Sequence, residues 1–167
     1  MGRSISASLS LLQVIPAKHL PASLTITQSV QNEITTACQK SNTELVFLLG
    51  CSSRLGCIDR CAPVTCIYTT TQSCQLDVSH ANRIIKSWYD NEICFYGVLH
   101  SHVVEKYILS EHDRMFAESM FLSFHMDQMC MALAVSTNKT VHYFFYQIFR
   151  DLSGSVQLIP TAFQTVQ

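Results

Sequence analysis

Two histidines separated by one residue, followed closely by a serine and an aspartate, form the part of the sequence best suited to chemistry. His100 and His102 are followed after seven residues by Ser110 and then by Asp113. Side chains two apart on a β-strand point to the same face, so both imidazoles can reach one ion. A carboxylate from Asp113, in the first turn of the next helix, completes a ligand set that suits zinc with a fourth position open. The spacing predicts one zinc ion per chain.

A glutamate earlier in the chain is the candidate general base. Glu44 is the only charged residue of the apolar run ELVFLLG, and burying it without a partner would be costly. Water activated by zinc requires a group that moves its protons, which a carboxylate can do. Ser110 stands where a helix cap belongs and can also donate a hydrogen bond to a developing oxyanion. We therefore predict catalytic roles for Glu44 and Ser110.

Each of these residues also has a purely structural interpretation. His100 and His102 could be structural histidines, and Asp113 could complement the positive end of a helix dipole. Glu44 could be a charge at the edge of a strand, and Ser110 could serve as a helix cap alone. The catalytic interpretation requires all five residues to meet at one site, which the tertiary structure can test.

The spacing of apolar residues predicts the elements that position these residues. Helices are expected at Thr25–Lys40, from Asp77 or Ser79 to about Tyr89, and after Ser110. Strands are expected within Ser8–Leu20 and at Glu44–Gly50, Val64–Thr71, Glu92–His100, Met129–Ser136, Val141–Phe149 and Ser155–Ile159. Loops are expected at Cys51–Pro63 and Val103–Leu109. This order predicts an α/β (α+β) fold with a mixed central β-sheet flanked by helices.

Composition favours one globular domain and argues against two classes of partner. The 167 residues are 48% hydrophobic and 14% charged, as in a packed domain, and we assign residues 1–167 to one domain with a core at about 25–160. The formal net charge of −1, without basic runs, argues against nucleic acid and membrane surfaces. No apolar run approaches the roughly 20 residues that span a bilayer. The N-terminal stretch lacks signal-peptide features, so we expect a cytoplasmic protein, with delivery into a host cell left open.

The cysteines form a second pattern. Four of the eight lie between Cys51 and Cys66, and no two have the C-x-x-C spacing of a zinc knuckle or redox motif. We expect reduced thiols in strands or in a hairpin. The alternative is a disulfide or a second metal site between Cys57 and Cys61.

The segments ELVFLLG, GVLHSH and S-x-x-D resemble the JAMM motif of the MPN+ metallopeptidases, and the resemblance extends from about Thr25 to Phe149. That family includes deubiquitinases, the signalosome deneddylase, and bacterial and archaeal relatives. The resemblance implies a single MPN-like domain, related in layout to the cytidine-deaminase-like fold. It also implies residue roles that coincide with those above: His100, His102 and Asp113 hold zinc, Glu44 activates water and Ser110 stabilises the oxyanion.

The resemblance further implies a substrate. The expected activity is cleavage of ubiquitin or a ubiquitin-like protein at its C-terminal tail, and a protein partner or a dimer is left open. One alternative is a prokaryotic-type processor or deconjugase of ubiquitin-like or sulfur-carrier proteins. A second alternative is a non-catalytic MPN module that scaffolds a complex. Bound zinc and a functional Glu44 distinguish the enzymes from the scaffold.

Overall fold

The computed structural model describes residues 23–52, 56–70, 74–137 and 140–167. Within these ranges the helices are α1 (Gln28–Lys40), α2 (Val78–Asp90) and α3 (Glu111–Ser123). The strands are β1 (Leu24–Thr27), β2 (Val46–Cys51), β3 (Cys57–Ile58), β4 (Arg60–Val64), β5 (Cys66–Thr69), β6 (Cys74–Leu76), β7 (Cys94–His102), β8 (Gln128–Ser136), β9 (Val141–Arg150), β10 (Val156–Thr161) and β11 (Phe163–Val166). None of the described helices has the length and apolar character needed to cross a membrane. The strand predicted within Ser8–Leu20 lies outside the described residues.

A six-stranded sheet forms the centre of the fold. Its strand order is β10-β9-β8-β7-β2-β4, with β7 and β8 parallel and the other neighbours antiparallel. Strand β1 pairs in parallel with both β11 and β3, and β5 and β6 form a separate hairpin. The prediction of a mixed sheet accompanied by helices is therefore confirmed.

The two faces of the central sheet bury two different cores. One core contains Phe47, Leu49 and Leu99 together with residues of α1. The other contains Val46, Leu48 and Val98 together with residues of α2 and α3. This division follows from the alternation of side chains along β2 and β7. By the same alternation, the side chains of His100 and His102 follow Val98 towards the α3 face.

The N-terminal helix begins later than predicted. Residues 24–27 form β1, and Thr27 caps α1 by accepting a 3.4 Å hydrogen bond from the backbone N of Val30. Leu24 and Ile26 are both buried because β1 pairs with β11 and β3. A four-residue strand carries too few apolar positions for its period to be distinguished from that of the helix that follows.

The predicted loop at Cys51–Pro63 is also wrong, because it contains β3 and β4. Among the described strands of the central sheet, β4 pairs only with β2, and an edge strand of this kind tolerates proline, here Pro63. The predicted strand at Val64–Thr71 is divided between the end of β4 and all of β5. Strand β11 was not predicted.

The expectation that the cysteines are reduced thiols is wrong for one pair. Cys66 and Cys74 form a disulfide across the β5–β6 hairpin, where their Cα atoms lie 6.1 Å apart. Cys57 and Cys61 are both free thiols, so the alternative disulfide between them is also wrong. Spacing along the chain did not show which cysteines the hairpin brings together.

Candidate metal centre

The two histidines lie at the C-terminal end of β7. This strand extends two residues beyond its predicted end, so that it includes both His100 and His102. Their ring centroids are 5.2 Å apart, and His102 is buried. The prediction that both imidazoles share one face of a strand is confirmed.

Glu44 reaches the same place from a distant part of the chain. It lies two residues before β2, which runs antiparallel to β7 with Val46 opposite His100. The side chain is only 3% exposed, and its Oε2 lies 3.0 Å from Nε2 of His100. Glu44 therefore meets the polar cluster that its burial requires.

Ser110 and Asp113 form a capping box at the start of α3. The hydroxyl of Ser110 accepts a hydrogen bond from the backbone N of Asp113, at 3.2 Å. The Oδ2 atom of Asp113 accepts from the backbone N and from the hydroxyl of Ser110, both at 2.6 Å. The predicted cap is confirmed, and the capping box orients the Asp113 carboxylate towards the histidines.

His100 lies between two carboxylates. Its Nδ1 is 2.8 Å from Oδ1 of Asp113, while its Nε2 faces Glu44. A neutral imidazole has one N–H, so both contacts are satisfied only by the imidazolium. Burial lowers the pKa of His100, but the hydrogen bonds and charges of Asp113 and Glu44 outweigh it and raise the pKa to about 9.

The Asp113 carboxylate is held in its charged form. Burial by itself raises its pKa. Hydrogen bonds from His100, His102 and Ser110, together with the charge of His100, outweigh burial and hold the pKa of Asp113 well below its usual range. A carboxylate whose pKa is lowered in this way is charged at neutral pH and is suited to ligate a cation.

His102 shows most directly that the site fits a metal. Its Nδ1 lies 2.8 Å from the backbone carbonyl of Lys106, and a carbonyl only accepts, so the proton is on Nδ1. Nε2 is then the ring nitrogen that faces Oδ2 of Asp113, 3.5 Å away. An imidazole nitrogen and a carboxylate oxygen that face each other in a buried site are the kinds of atom that zinc takes as ligands. The bond to the Lys106 carbonyl is also the kind that orients a metal-binding histidine.

All five predicted residues line one cavity of about 300 Å³. The lining residues are Glu44, His100, His102, Val104, Lys106, Ser110 and Asp113. The ligand atoms of Glu44, His100 and His102 lie within 4.8 Å of one another. This group differs from the predicted ligand set in one residue, because it contains Glu44 in place of Asp113. Both sets combine imidazole nitrogens with a carboxylate, which suits zinc. The described residues contain no other cluster of this kind.

Some residues that build the site were not predicted. The Lys106 carbonyl holds His102, and Thr69 and Thr70 of the hairpin region hold the backbone of Glu44. Lys106 and Thr70 act through their backbone carbonyls, which every residue has, so their residue types could not have indicated these roles. Thr69 lies in an ordinary β-branched run.

Comparisons with known proteins bear on the fold alone. No protein-family model matches the sequence, and no curated protein matches it either. The chain is similar to the solution structure of protein DSY2949 from Desulfitobacterium hafniense, with a TM-score of 0.65 and 15% sequence identity. The similarity covers 86% of this chain and 93% of that one. At this identity it shows a shared fold and says nothing about shared chemistry.

Proposed function

We propose that this chain is a zinc-dependent peptidase or isopeptidase of the JAMM (MPN+) type, which cleaves ubiquitin or a ubiquitin-like protein at its C-terminal tail. The observation that carries the proposal is the meeting of all five motif residues in one cavity. These residues come from the segment before β2, the end of β7 and the start of α3. An MPN-like layout of the fold belongs to the same proposal.

His100, His102 and Asp113 would hold the metal, and the His100 imidazolium would give up one ring proton on binding it. Zinc bound there supplies Lewis-acid chemistry, because it lowers the pKa of water towards about 7 and polarises the scissile carbonyl. The chain's own contribution is to orient His102 through the Lys106 carbonyl, so that its Nε2 faces Asp113, and to keep Asp113 charged.

Glu44 acts as the general base. Its carboxylate accepts a proton from the attacking water and passes it to the leaving amine as the peptide or isopeptide bond breaks. The burial of Glu44 keeps competing water away from the carboxylate. Its contact with His100 keeps the carboxylate directed into the cavity.

The single hydroxyl proton of Ser110 has two possible acceptors, the Asp113 carboxylate and the oxyanion that develops on the substrate. The hydroxyl donates to Oδ2 of Asp113, so stabilising an oxyanion requires it to rotate towards the substrate. After rotation Asp113 still accepts from the backbone N of Ser110, at 2.6 Å. The hydroxyl oxygen also still accepts from the backbone N of Asp113, so the cap and the oxyanion role are compatible.

The size of the cavity supports a flexible tail as the substrate. A folded domain does not enter a cavity of about 300 Å³, whereas a few residues of extended chain do. Ubiquitin-like proteins end in such a tail, and an extended peptide can also add to a sheet edge. In this fold β4 is an edge strand, and it pairs with β2 just beyond Glu44.

Metal analysis combined with a substrate panel tests the proposal. The full chain is loaded with zinc and incubated with ubiquitin conjugates, ubiquitin-like conjugates and sulfur-carrier precursors, beside metal-stripped protein and the Glu44→Gln variant. We expect cleavage of at least one substrate at its C-terminal tail by the zinc-loaded wild type alone. Stoichiometric zinc without cleavage of any substrate would favour the scaffold module.

A further inference from the structure

Ser101, between the two predicted histidine ligands, makes contacts that the proposed mechanism does not use. Its side chain is fully buried, with 0% exposure, and alternation along β7 directs it to the face opposite the histidines. The hydroxyl accepts a 2.7 Å hydrogen bond from the backbone N of Leu45. The backbone N of Ser101 donates to the carbonyl of Leu45, at 2.9 Å. Two hydrogen bonds therefore join Ser101 to Leu45, the residue next to Glu44.

The hydroxyl of Ser101 also links this strand to α1. It lies beside the thiol of Cys38, a buried residue of α1, and lowers the pKa of that thiol against the larger, opposite effect of burial. A hydroxyl has one proton to donate and lone pairs to accept. Acceptance from Leu45 and the position beside Cys38 place the hydroxyl of Ser101 where α1, β7 and the residue before β2 meet.

Glu44 depends on contacts of this kind because it lies outside a regular strand. Strand β2 begins at Val46, so the ladder between β2 and β7 does not include Glu44. On one side, the backbone N of Glu44 donates to the Thr70 carbonyl and its carbonyl accepts from the Thr69 hydroxyl, both at 3.0 Å. On the other side, the chain is held through Leu45 by Ser101.

We propose that Ser101 is a positioning residue for Glu44: its hydroxyl fixes the backbone at Leu45 and thereby keeps the Glu44 carboxylate against His100. This inference rests on the proposed function, in which Glu44 is the base. Ser101 acts through Leu45 and touches neither substrate nor metal. Without the hydroxyl, the N–H of Leu45 loses its partner and Glu44 moves away from its place in the cavity.

Crystal structures and turnover together test this role. The comparison uses zinc-loaded protein of the wild type and of the variants Ser101→Ala and Ser101→Cys. The cysteine variant keeps the approximate shape of serine, but its sulfur is a poorer hydrogen-bond acceptor. The matched control is Thr35→Val, which removes a hydroxyl bonded at 2.8 Å to the Tyr143 hydroxyl, away from Glu44. We expect the carboxylate of Glu44 to shift by about 1 Å or more relative to His100 and His102 in the Ser101 variants only. A shift of that size lowers kcat by about tenfold to a hundredfold.

A double-mutant cycle shows whether the loss acts through Glu44. In the Glu44→Gln background, Ser101→Ala should cost no further turnover, because the group that it positions is already disabled. An additive loss, or an unmoved carboxylate in both Ser101 variants, overturns the inference. If wild type cleaves none of the substrates, the proposed function fails, but the crystal comparison still decides whether Ser101 positions Glu44. The cysteine variant provides that comparison if the alanine variant does not fold.

Discussion

The two halves of the candidate site are built in different ways. His100, His102, Ser110 and Asp113 lie within one short stretch, where strand alternation and a capping box are enough to bring their side chains together. Glu44 lies 56 residues before His100 and reaches it through the pairing of β2 with β7, the hairpin region and Ser101. The metal-binding half is therefore local and the base is held by tertiary contacts. Damage to one half should leave the other largely intact.

The largest expected effect is loss of the metal from the local half. The His102→Ala variant removes a buried nitrogen that faces Asp113, and zinc sites lacking one of three protein ligands bind weakly. We expect zinc content to fall from about one per chain to near zero by elemental analysis. His112→Ala, which changes an exposed histidine of α3, is the control and should keep its zinc. Full zinc content in His102→Ala would mean that zinc binds at another site, and the cysteines between Cys51 and Cys66 would be tested first.

The second prediction separates the two halves directly. Glu44→Gln keeps the shape of the side chain but cannot accept a proton, so hydrolysis should fall by roughly a hundredfold or more while zinc remains bound. Turnover and zinc content are measured on the same preparation. Glu111→Gln, an exposed residue of the first turn of α3, should behave as wild type. Near-normal turnover by Glu44→Gln would eliminate Glu44 as the base.

Ser110 tests the local half for a role beyond structure. If the hydroxyl only caps α3, Ser110→Ala should lower stability by roughly 0.5–2 kcal/mol and leave kcat of the folded enzyme unchanged. If it also stabilises the oxyanion, kcat should fall by about 10²–10³ at unchanged substrate affinity. We expect the second outcome. Thermal stability and kcat of zinc-loaded protein decide it, and a destabilised variant with full kcat would leave Ser110 as a cap alone.

The smallest expected effect comes from the hairpin side of Glu44. Thr69→Val removes the hydroxyl that donates to the Glu44 carbonyl but leaves the backbone bond to Thr70. Loss of one such hydrogen bond, worth about 0.5–1.5 kcal/mol, should lower kcat by about twofold to tenfold without changing zinc affinity. Thr161→Val removes a comparable hydroxyl-to-carbonyl bond to Ile159 and is the control. A drop in zinc affinity with Thr69→Val would mean that the two halves are not separable.

The long elements could be predicted because their periods are clear. Strands β7, β8 and β9 and helices α2 and α3 lie close to their expected positions. Strands β1, β3 and β11 were missed because they are short and pair only with strands distant in the sequence, such as Leu24 with Phe163. Their apolar residues are few, so local periodicity carries almost no information about them.

The local half of the site could be predicted from the sequence alone. The H-x-H pair at the end of a strand and the S-x-x-D capping box indicate which side chains are present and where they point. This is possible because strand and helix geometry fix the relative directions of side chains a few residues apart. Three features became visible only in the folded chain: how Glu44 is held, which cysteines form a disulfide, and that the Lys106 carbonyl orients His102. Those contacts join segments or backbone groups whose approach depends on strand order and register, and no single residue type encodes either.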